Sequence, residues 1–247
     1  TFVVNDDIYF GEIETIESLI NSKYEHKPLL KATLLNEPKF VFEEEKFKKM
    51  VLNAKEMIRS GDIFQIVLSN RLKVKVKLDD FTFYRKLRSK NPSPYLYFLE
   101  FDEFSIIGSS PEVMVRLTDD IILLRPIAGT RKRGKNLKRD LELENEMVND
   151  EKEVAEHIML VDLGRNDVGR VAKAGTVKVE ELMRVERYSH VMHMVSDVVG
   201  ELDKEKYDMF DLFKATFTAG TMTGSPKIRA MELIAEYENL KKGYYAG

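Results

Sequence analysis

Two glutamates on one predicted helix are the first residues that could do chemistry. Glu153 and Glu156 lie three residues apart, so on a helix their carboxylates share one face. Paired carboxylates with no cysteine nearby suit a hard cation such as Mg²⁺. His157 is one position off that face and should point elsewhere. The alternative is a pair of solvated or salt-bridged carboxylates, which is the usual state of acidic residues on helices.

A glycine-containing turn before a predicted helix is a second candidate. The segment 218–227 holds two glycines and ends in Ser225, Pro226 and Lys227. Ser225 suits the N-cap and Pro226 the first helical position. Free backbone N–H groups at such an end can bind an anion, and Lys227 would add positive charge. The alternative is an ordinary helix start with turn glycines.

The segment 125–139 is strongly basic, with seven Lys or Arg residues and no acid. We expect a solvated, mobile loop near an anionic substrate. A purely structural charge run is the alternative. A nucleic-acid surface is disfavoured, because the segment has no aromatic side chains for base stacking and an acidic region follows it.

One glutamate and two histidines could carry protons. Glu112 follows a predicted strand and a tight turn, where apolar walls would raise the pKa of its carboxyl and make it a general acid. His190 and His193 have the HxxH spacing of some zinc sites. The valines around them alternate as in a strand, which would place the two histidines on opposite faces. His193 is then either a shielded acid–base group or a core histidine.

The elements that must position these residues are strands followed by helices, without βαβ alternation. This order predicts an α+β fold with mostly antiparallel sheets. Predicted helices cover 43–60, 81–89, 140–163, 207–217 and 227–237, and predicted strands cover 63–68, 72–76, 95–101, 104–108, 113–117, 121–127, 176–179 and 191–199.

Composition excludes several classes of protein. The chain has 247 residues, 43% of them hydrophobic and 33% charged, which is enough for a sizeable core under a polar surface. It has no cysteine, which excludes disulfide bonds and thiolate metal sites. Its net charge of −3 provides no overall positive field that would attract nucleic acid. No apolar stretch is long enough to span a membrane, so we expect a cytoplasmic protein. The first residue is Thr1 and the last residues look like the entry to a strand, so we expect a fragment.

Eight ordered stretches together resemble the chorismate-utilising enzymes, and among these the large (component I) subunits of anthranilate synthases. The resemblance implies an α/β sandwich of mostly antiparallel sheets flanked by helices. It also implies an incomplete N-terminal region over 1–42 and a chorismate-binding core over 43–247 that lacks its C-terminal segment. The matching stretches are 61–69, 91–95, 108–112, 125–130, 155–163, 165–167, 186–193 and 219–227.

The resemblance also implies an activity, in which ammonia replaces the 4-hydroxyl of chorismate by adding at C2, and pyruvate is then lost to give anthranilate. This is the first step of tryptophan biosynthesis. Mg²⁺ would be the cofactor, and a glutamine amidotransferase subunit (component II) would supply the ammonia in a hetero-oligomer. Tryptophan would be the feedback inhibitor.

The resemblance assigns roles residue by residue. Glu156 and Glu153 match the family's metal ligands. Glu112 matches the acid that protonates the departing hydroxyl, and His193 matches a histidine of the pyruvate-eliminating step. Six further residues match positions that contact the substrate in the family, namely Gly129, Thr130, Gly220, Thr221, Gly224 and Lys227. Three residues match part of the family's tryptophan pocket, namely Pro94, Tyr95 and Leu96.

Two positions separate the relatives. Isochorismate and salicylate synthases have lysine in place of Gln65, where it activates water, and aminodeoxychorismate synthases typically have lysine in place of Ala128. Gln65 and Ala128 therefore point to ammonia as the nucleophile. The alternatives are one of those two activities, or a non-catalytic fragment that senses tryptophan.

Overall fold

The computed structural model describes residues 10–23, 28–110, 112–188 and 190–245. Its helices are α1 Phe10–Asn21, α2 Glu44–Arg59, α3 Asp80–Lys90, α4 Leu137–Val148, α5 Glu151–Gly169, α6 Met209–Thr216, α7 Gly220–Thr223 and α8 Lys227–Glu238. Its strands are β1 Thr33–Leu34, β2 Lys39–Phe40, β3 Gln65–Ile66, β4 Leu72–Lys73, β5 Val76–Lys77, β6 Tyr95–Glu100, β7 Ser105–Ser110, β8 Arg116–Thr118, β9 Ile121–Leu124, β10 Ile127–Lys132, β11 Lys178–Arg187, β12 Val191–Glu201 and β13 Gly224–Ser225.

A five-stranded antiparallel sheet lies at the centre of the fold. β12 pairs with β11 on one side, and with β10 and then β9 on the other, and β8 extends the sheet beyond β9. Because successive side chains of a strand point to opposite faces, Met192, Met194 and Val198 of β12 are buried together. Met192 and Met194 pack with Met147 of α4, and Val198 packs with Val161 of α5 in a second cluster. The opposite face of β12 carries His193, which borders the candidate site described below.

Helix α5 crosses the buried face of the sheet and begins at a strong N-cap. The Asp150 side chain accepts hydrogen bonds from the backbone N–H groups of Lys152 (3.0 Å) and Glu153 (3.2 Å). This cap divides the predicted helix 140–163 into α4 and α5. It also sets the start of the helix that carries Glu153 and Glu156.

The short pair β3–β13 brings two distant segments together, with Gln65 opposite Ser225 and Ile66 opposite Gly224. Gly224 has a φ of +136°, and a Cβ at this position would overlap the carbonyl oxygen of Gln65. Glycine is therefore required where the two backbones meet.

Most predicted elements are found, with several corrections. The predicted strand 72–76 is two short strands, β4 and β5, which pair with β2 and β1. The predicted strand 121–127 is interrupted before Ile127, and the strand predicted at 176–179 extends to Arg187. The predicted N-cap Ser225 belongs to β13 instead, and Pro226 is the N-cap of α8, since its carbonyl accepts the first helical hydrogen bond from the N–H of Ala230. Among the described residues, no helix is both long and apolar enough to cross a membrane.

Candidate active site

An open cleft of about 630 Å³ lies between the exposed face of the central sheet and the segment that precedes β6. It brings together residues that are far apart in the sequence, as expected of a binding site. Its walls include Pro94, Glu112, Ala128, Thr130, Tyr188, His190 and His193. Four of the residues to which the resemblance assigns a site role therefore border one cleft, namely Pro94, Glu112, Thr130 and His193.

Glu112 combines a half-buried position with a raised pKa. Burial raises the pKa of its carboxyl to about 7, because the charged form loses its hydration. Besides the cleft, Glu112 borders a small inner cavity of about 30 Å³. A carboxyl with a pKa near neutrality can hold a proton and then release it, as a general acid must.

His193 is held at one ring nitrogen. Its Nδ1 lies 3.0 Å from Thr130 Oγ1 and 3.3 Å from the carbonyl oxygen of Gly129. A carbonyl can only accept, so we assign the proton of the neutral ring to Nδ1. Nε2 then keeps its lone pair. Gly129 has a φ of +71° at a register shift of β10, which brings its carbonyl to the imidazole.

The two histidines of the HxxH segment border the same cleft, contrary to the expectation that they point apart. His190 precedes β12, which begins at Val191, so it does not follow the alternation of the strand. Within the described part of the chain, no group of three or more His, Asp or Glu side chains is arranged to hold a metal ion.

The two carboxylates of α5 have protein partners. Glu156 Oε1 accepts a hydrogen bond from Gln65 Nε2 at 3.2 Å, and Glu153 Oε1 accepts one from Arg131 Nη1 at 3.0 Å. Gln65 Oε1 is buried and has no hydrogen-bond partner within the described residues. This donor set is all oxygen and fits a hard cation such as Mg²⁺. Glu156 is better placed for direct ligation, since Glu153 already pairs with a cation.

His157 of α5 points to the central sheet. It is fully buried, and its Nε2 lies 2.6 Å from Ser196 Oγ on β12. Ser196 Oγ also accepts the backbone N–H of Met183 at 2.8 Å. Burial lowers the pKa of His157, so the ring is neutral and ties α5 to the sheet.

Lys227 lies in the interior rather than on an open anion site, which corrects the expectation from its sequence position. Its side chain is only 8% exposed, and Nζ lies 2.6 Å from Asp167 and 3.1 Å from the carbonyl oxygen of Thr216. The ammonium therefore fastens α8 to α5 and to the end of α6. Gly220 and Thr221 border the small inner cavity beside Glu112, and Thr221 Oγ1 is buried without a partner among the described residues.

The basic segment is not a mobile loop. Its first half is strand β10, and two of its arginines pair with acids of the neighbouring helices. Arg131 bonds to Glu153, and Arg133 lies 2.7 Å from Asp140. Hydrogen bonds from Arg133, together with the N–H of Gly134, hold the pKa of Asp140 at about 2. Much of the positive charge is therefore neutralised inside the protein.

Sequence reasoning missed a charged cluster beside the cleft. Arg125 and Arg184 bond to both Glu186 and Asp197, and the Tyr188 hydroxyl donates to Glu186 at 2.7 Å. Arg184 and Glu186 alternate along β11 and Tyr188 follows its last residue, so this i, i+2 pattern of Arg, Glu and Tyr could have revealed a polar face.

The candidate inhibitor residues lie at the edge of the cleft. Pro94 borders it, and Tyr95 and Leu96 begin β6, where they pair with Ser110 and Ser109 of β7. Their role in binding tryptophan stays a prediction.

Comparison with known proteins defines the class. Residues 10–247 match the family model of chorismate binding enzymes, and the chain belongs to that family. Within it, the sequence is 58% identical over 206 residues to anthranilate synthase component 1 of Aquifex aeolicus, a match that covers 83% of this chain and 42% of that protein.

Solved structures confirm the α+β fold. Anthranilate synthase component I from Streptococcus pneumoniae superposes with a TM-score of 0.83 at 42% identity, over 96% of this chain and 52% of that one. The menaquinone-specific isochorismate synthase of Escherichia coli shares the fold, with a TM-score of 0.79 at 20% identity over 96% of this chain and 55% of that one. The chain thus spans about half or less of the length of these relatives.

Proposed function

We propose that the protein carrying this chain is component 1 of an anthranilate synthase, which converts chorismate and ammonia to anthranilate and pyruvate. The observation that carries the proposal is the cleft that joins Glu112, with its pKa of about 7, to the lone pair of His193 Nε2. The names of the similar proteins from Aquifex aeolicus and Streptococcus pneumoniae support the same activity.

The first step needs an acid. The C4 hydroxyl of chorismate leaves as water when the Glu112 carboxyl donates its proton, while ammonia forms a bond to C2. Gln65 supports ammonia as the nucleophile, because a neutral amide cannot remove a proton from water. Its Nε2 group donates instead to Glu156.

The second step needs a base. The ring becomes aromatic when C2 loses its proton and the C3–O bond to the enolpyruvyl group breaks. In the proposed mechanism His193 Nε2 takes that proton, which then returns to the leaving group as it becomes pyruvate. Thr130 and the Gly129 carbonyl keep Nδ1 protonated and so leave Nε2 able to accept.

We propose Mg²⁺ as the cofactor, held directly by Glu156, with Glu153 acting directly or through water. When bound, the ion would neutralise a carboxylate of the dianionic substrate. We also propose that a glutamine amidotransferase partner supplies the ammonia and that the two subunits form a hetero-oligomer. Tryptophan is proposed as the feedback inhibitor, bound near Pro94, Tyr95 and Leu96. The proposed location is the cytoplasm. The "component 1" in the names of the relatives supports the partner.

The experiment is product identification with the full-length protein, chorismate, ammonium and Mg²⁺. Anthranilate fluorescence and equimolar pyruvate are the expected result. Isochorismate or salicylate without anthranilate would show that the interpretation of Gln65 is wrong. Aminodeoxychorismate as the product would show that the interpretation of Ala128 is wrong. Tryptophan binding with no product at all would favour a sensing role.

A further inference from the structure

We propose that Tyr188 is a positioning residue for the His193 imidazole, and that Glu186, clamped by Arg125 and Arg184, anchors Tyr188. This inference rests on the proposed function, in which His193 Nε2 must face the substrate. It adds a second support to the ring, on the side away from Thr130.

The strand register places these groups in one row. Thr130 of β10 and Glu186 of β11 both lie directly opposite His193 of β12. Residues in directly opposite positions of paired strands point to the same face, so Thr130, His193 and Glu186 form a line across three strands. His193 is therefore flanked on both sides within the sheet itself.

The Tyr188 ring packs edge to face against the His193 imidazole. The two ring centroids lie 5.7 Å apart, with an angle of 62° between the planes. Such an edge-to-face contact resists rotation of the imidazole about its second side-chain torsion. The hydrogen bonds at Nδ1 fix one end of the ring, and the tyrosine restrains its plane. Together they set the direction of the Nε2 lone pair.

Glu186 holds the tyrosine through its hydroxyl. One oxygen, Oε2, accepts from Tyr188 at 2.7 Å, while Oε1 accepts from Arg125 at 2.6 Å and from Arg184 at 2.8 Å. The two arginines also bond to Asp197, each at 3.0 Å. Two positive and two negative charges therefore balance in one cluster, and the carboxylate cannot move without breaking several bonds.

The protonation states suit this arrangement. Burial alone would raise the pKa of Glu186, but hydrogen bonds from Tyr188 and Arg184 and the nearby arginine charges lower it. The same hydrogen bond to Glu186 raises the pKa of Tyr188, which therefore stays a donor.

The backbone of Tyr188 is fixed as well. Its N–H donates to the carbonyl of Val191 at 2.8 Å, and its carbonyl accepts from Arg133 Nη1 at 2.7 Å. The side chain thus pivots from a fixed point, and its position depends on the bond to Glu186.

The test compares Tyr188→Phe, Tyr188→Leu and a matched control, Tyr207→Phe, in the full-length protein. Tyr207 is exposed and lies outside the residues that border the cleft. Histidine labelled with ¹³C at Cδ2 reports the tautomer of each ring, and a variant that lacks His193 assigns its signal. Chorismate affinity and kcat are measured on the same samples.

We expect the phenylalanine variant to keep chorismate affinity and to lose about tenfold in kcat, and the leucine variant to lose about 10²-fold. The His193 signal should shift from the single Nδ1–H tautomer to a mixture in both variants, and the control should match the unaltered protein. An unchanged His193 signal and kcat in Tyr188→Phe would overturn the proposal, and this variant keeps the ring volume that folding needs. The labelled spectrum does not depend on the product, so failure to form anthranilate would count against the proposed function alone.

Discussion

Two carboxyl groups border the same small inner cavity, and they differ in burial and in ion pairing. Asp167 is buried and bonded to Lys227, whereas Glu112 is half-buried and, within the described part of the chain, no ion pair opposes its pKa shift. Burial raises the pKa of both groups, but at Asp167 the lysine works against this increase. A paired acid keeps its charge and holds helices together, while an unpaired one is free to exchange a proton.

Replacing Glu112 should have the largest effect on activity. Glu112→Gln keeps the shape of the side chain but has no acidic proton, so we expect kcat to fall by about 10²–10⁴-fold with chorismate affinity retained. Thermal unfolding below about pH 4.5 should change little, because Glu112 is then neutral in both states and no ion pair is broken. Steady-state kinetics and calorimetry check both parts. If Glu112→Gln turned over at the wild-type rate, Glu112 would not be the general acid, and the proposed difference from Asp167 would be wrong.

Replacing Lys227 should produce the converse result. Lys227→Met leaves the Asp167 carboxylate buried without its partner, which should lower the free energy of unfolding by about 3–5 kcal/mol. Urea denaturation measures this loss. The double variant with Asp167→Asn should recover part of the stability, because the uncompensated charge is then removed. A stable single variant would show that the pair is not what fastens α8.

The pH dependence sharpens the comparison further. The reaction needs protonated Glu112, so kcat/KM should decline as the pH rises through about 7. Its ordinary pKa is 4.5, so the folded state binds this proton more tightly than the unfolded state. The stability from Glu112 is therefore fully present below about pH 4.5 and is lost as the pH rises through about 7. In Glu112→Gln this part of the stability profile should be flat, and an unchanged profile would contradict the assignment.

The smallest effect is expected at the α5 carboxylates, because replacing Glu156 by glutamine removes its charge but keeps an oxygen that can bind the ion. Glu156→Gln should raise the Mg²⁺ concentration needed for half-maximal activity, by about tenfold, since an amide oxygen binds the ion more weakly than a carboxylate. Glu151→Gln, an exposed position on the same helix, is the matched control. Equal Mg²⁺ titrations for the two variants would exclude Glu156 as a ligand.

Local patterns were sufficient where the partners are close in sequence. The apolar spacing after Glu43 predicted α2, and the spacing of Glu153 and Glu156 placed both on one face of α5. The same reasoning failed for Lys227, because its partner Asp167 lies 60 residues away. It failed for the basic segment for a similar reason, since a count of charges does not show that Arg131 meets Glu153 on another element.

The cleft itself was beyond local reasoning. Glu112 lies beyond the end of β7, whereas His193 lies on β12 of the central sheet, and the tertiary fold brings them to one cleft. The resemblance to a family selected both residues, but it did not show the row of Thr130, His193 and Glu186. That row depends on strand register, which a single sequence specifies only through the alternation of its side chains.

The close approach of β3 and β13 has a consequence for mutational tolerance. Since any side chain at position 224 would strike the carbonyl of Gln65, a saturation library should accept glycine alone there and many residues at the exposed Ile228 nearby. Substitutions at Gln65 must therefore be accommodated by a backbone that Gly224 holds fixed.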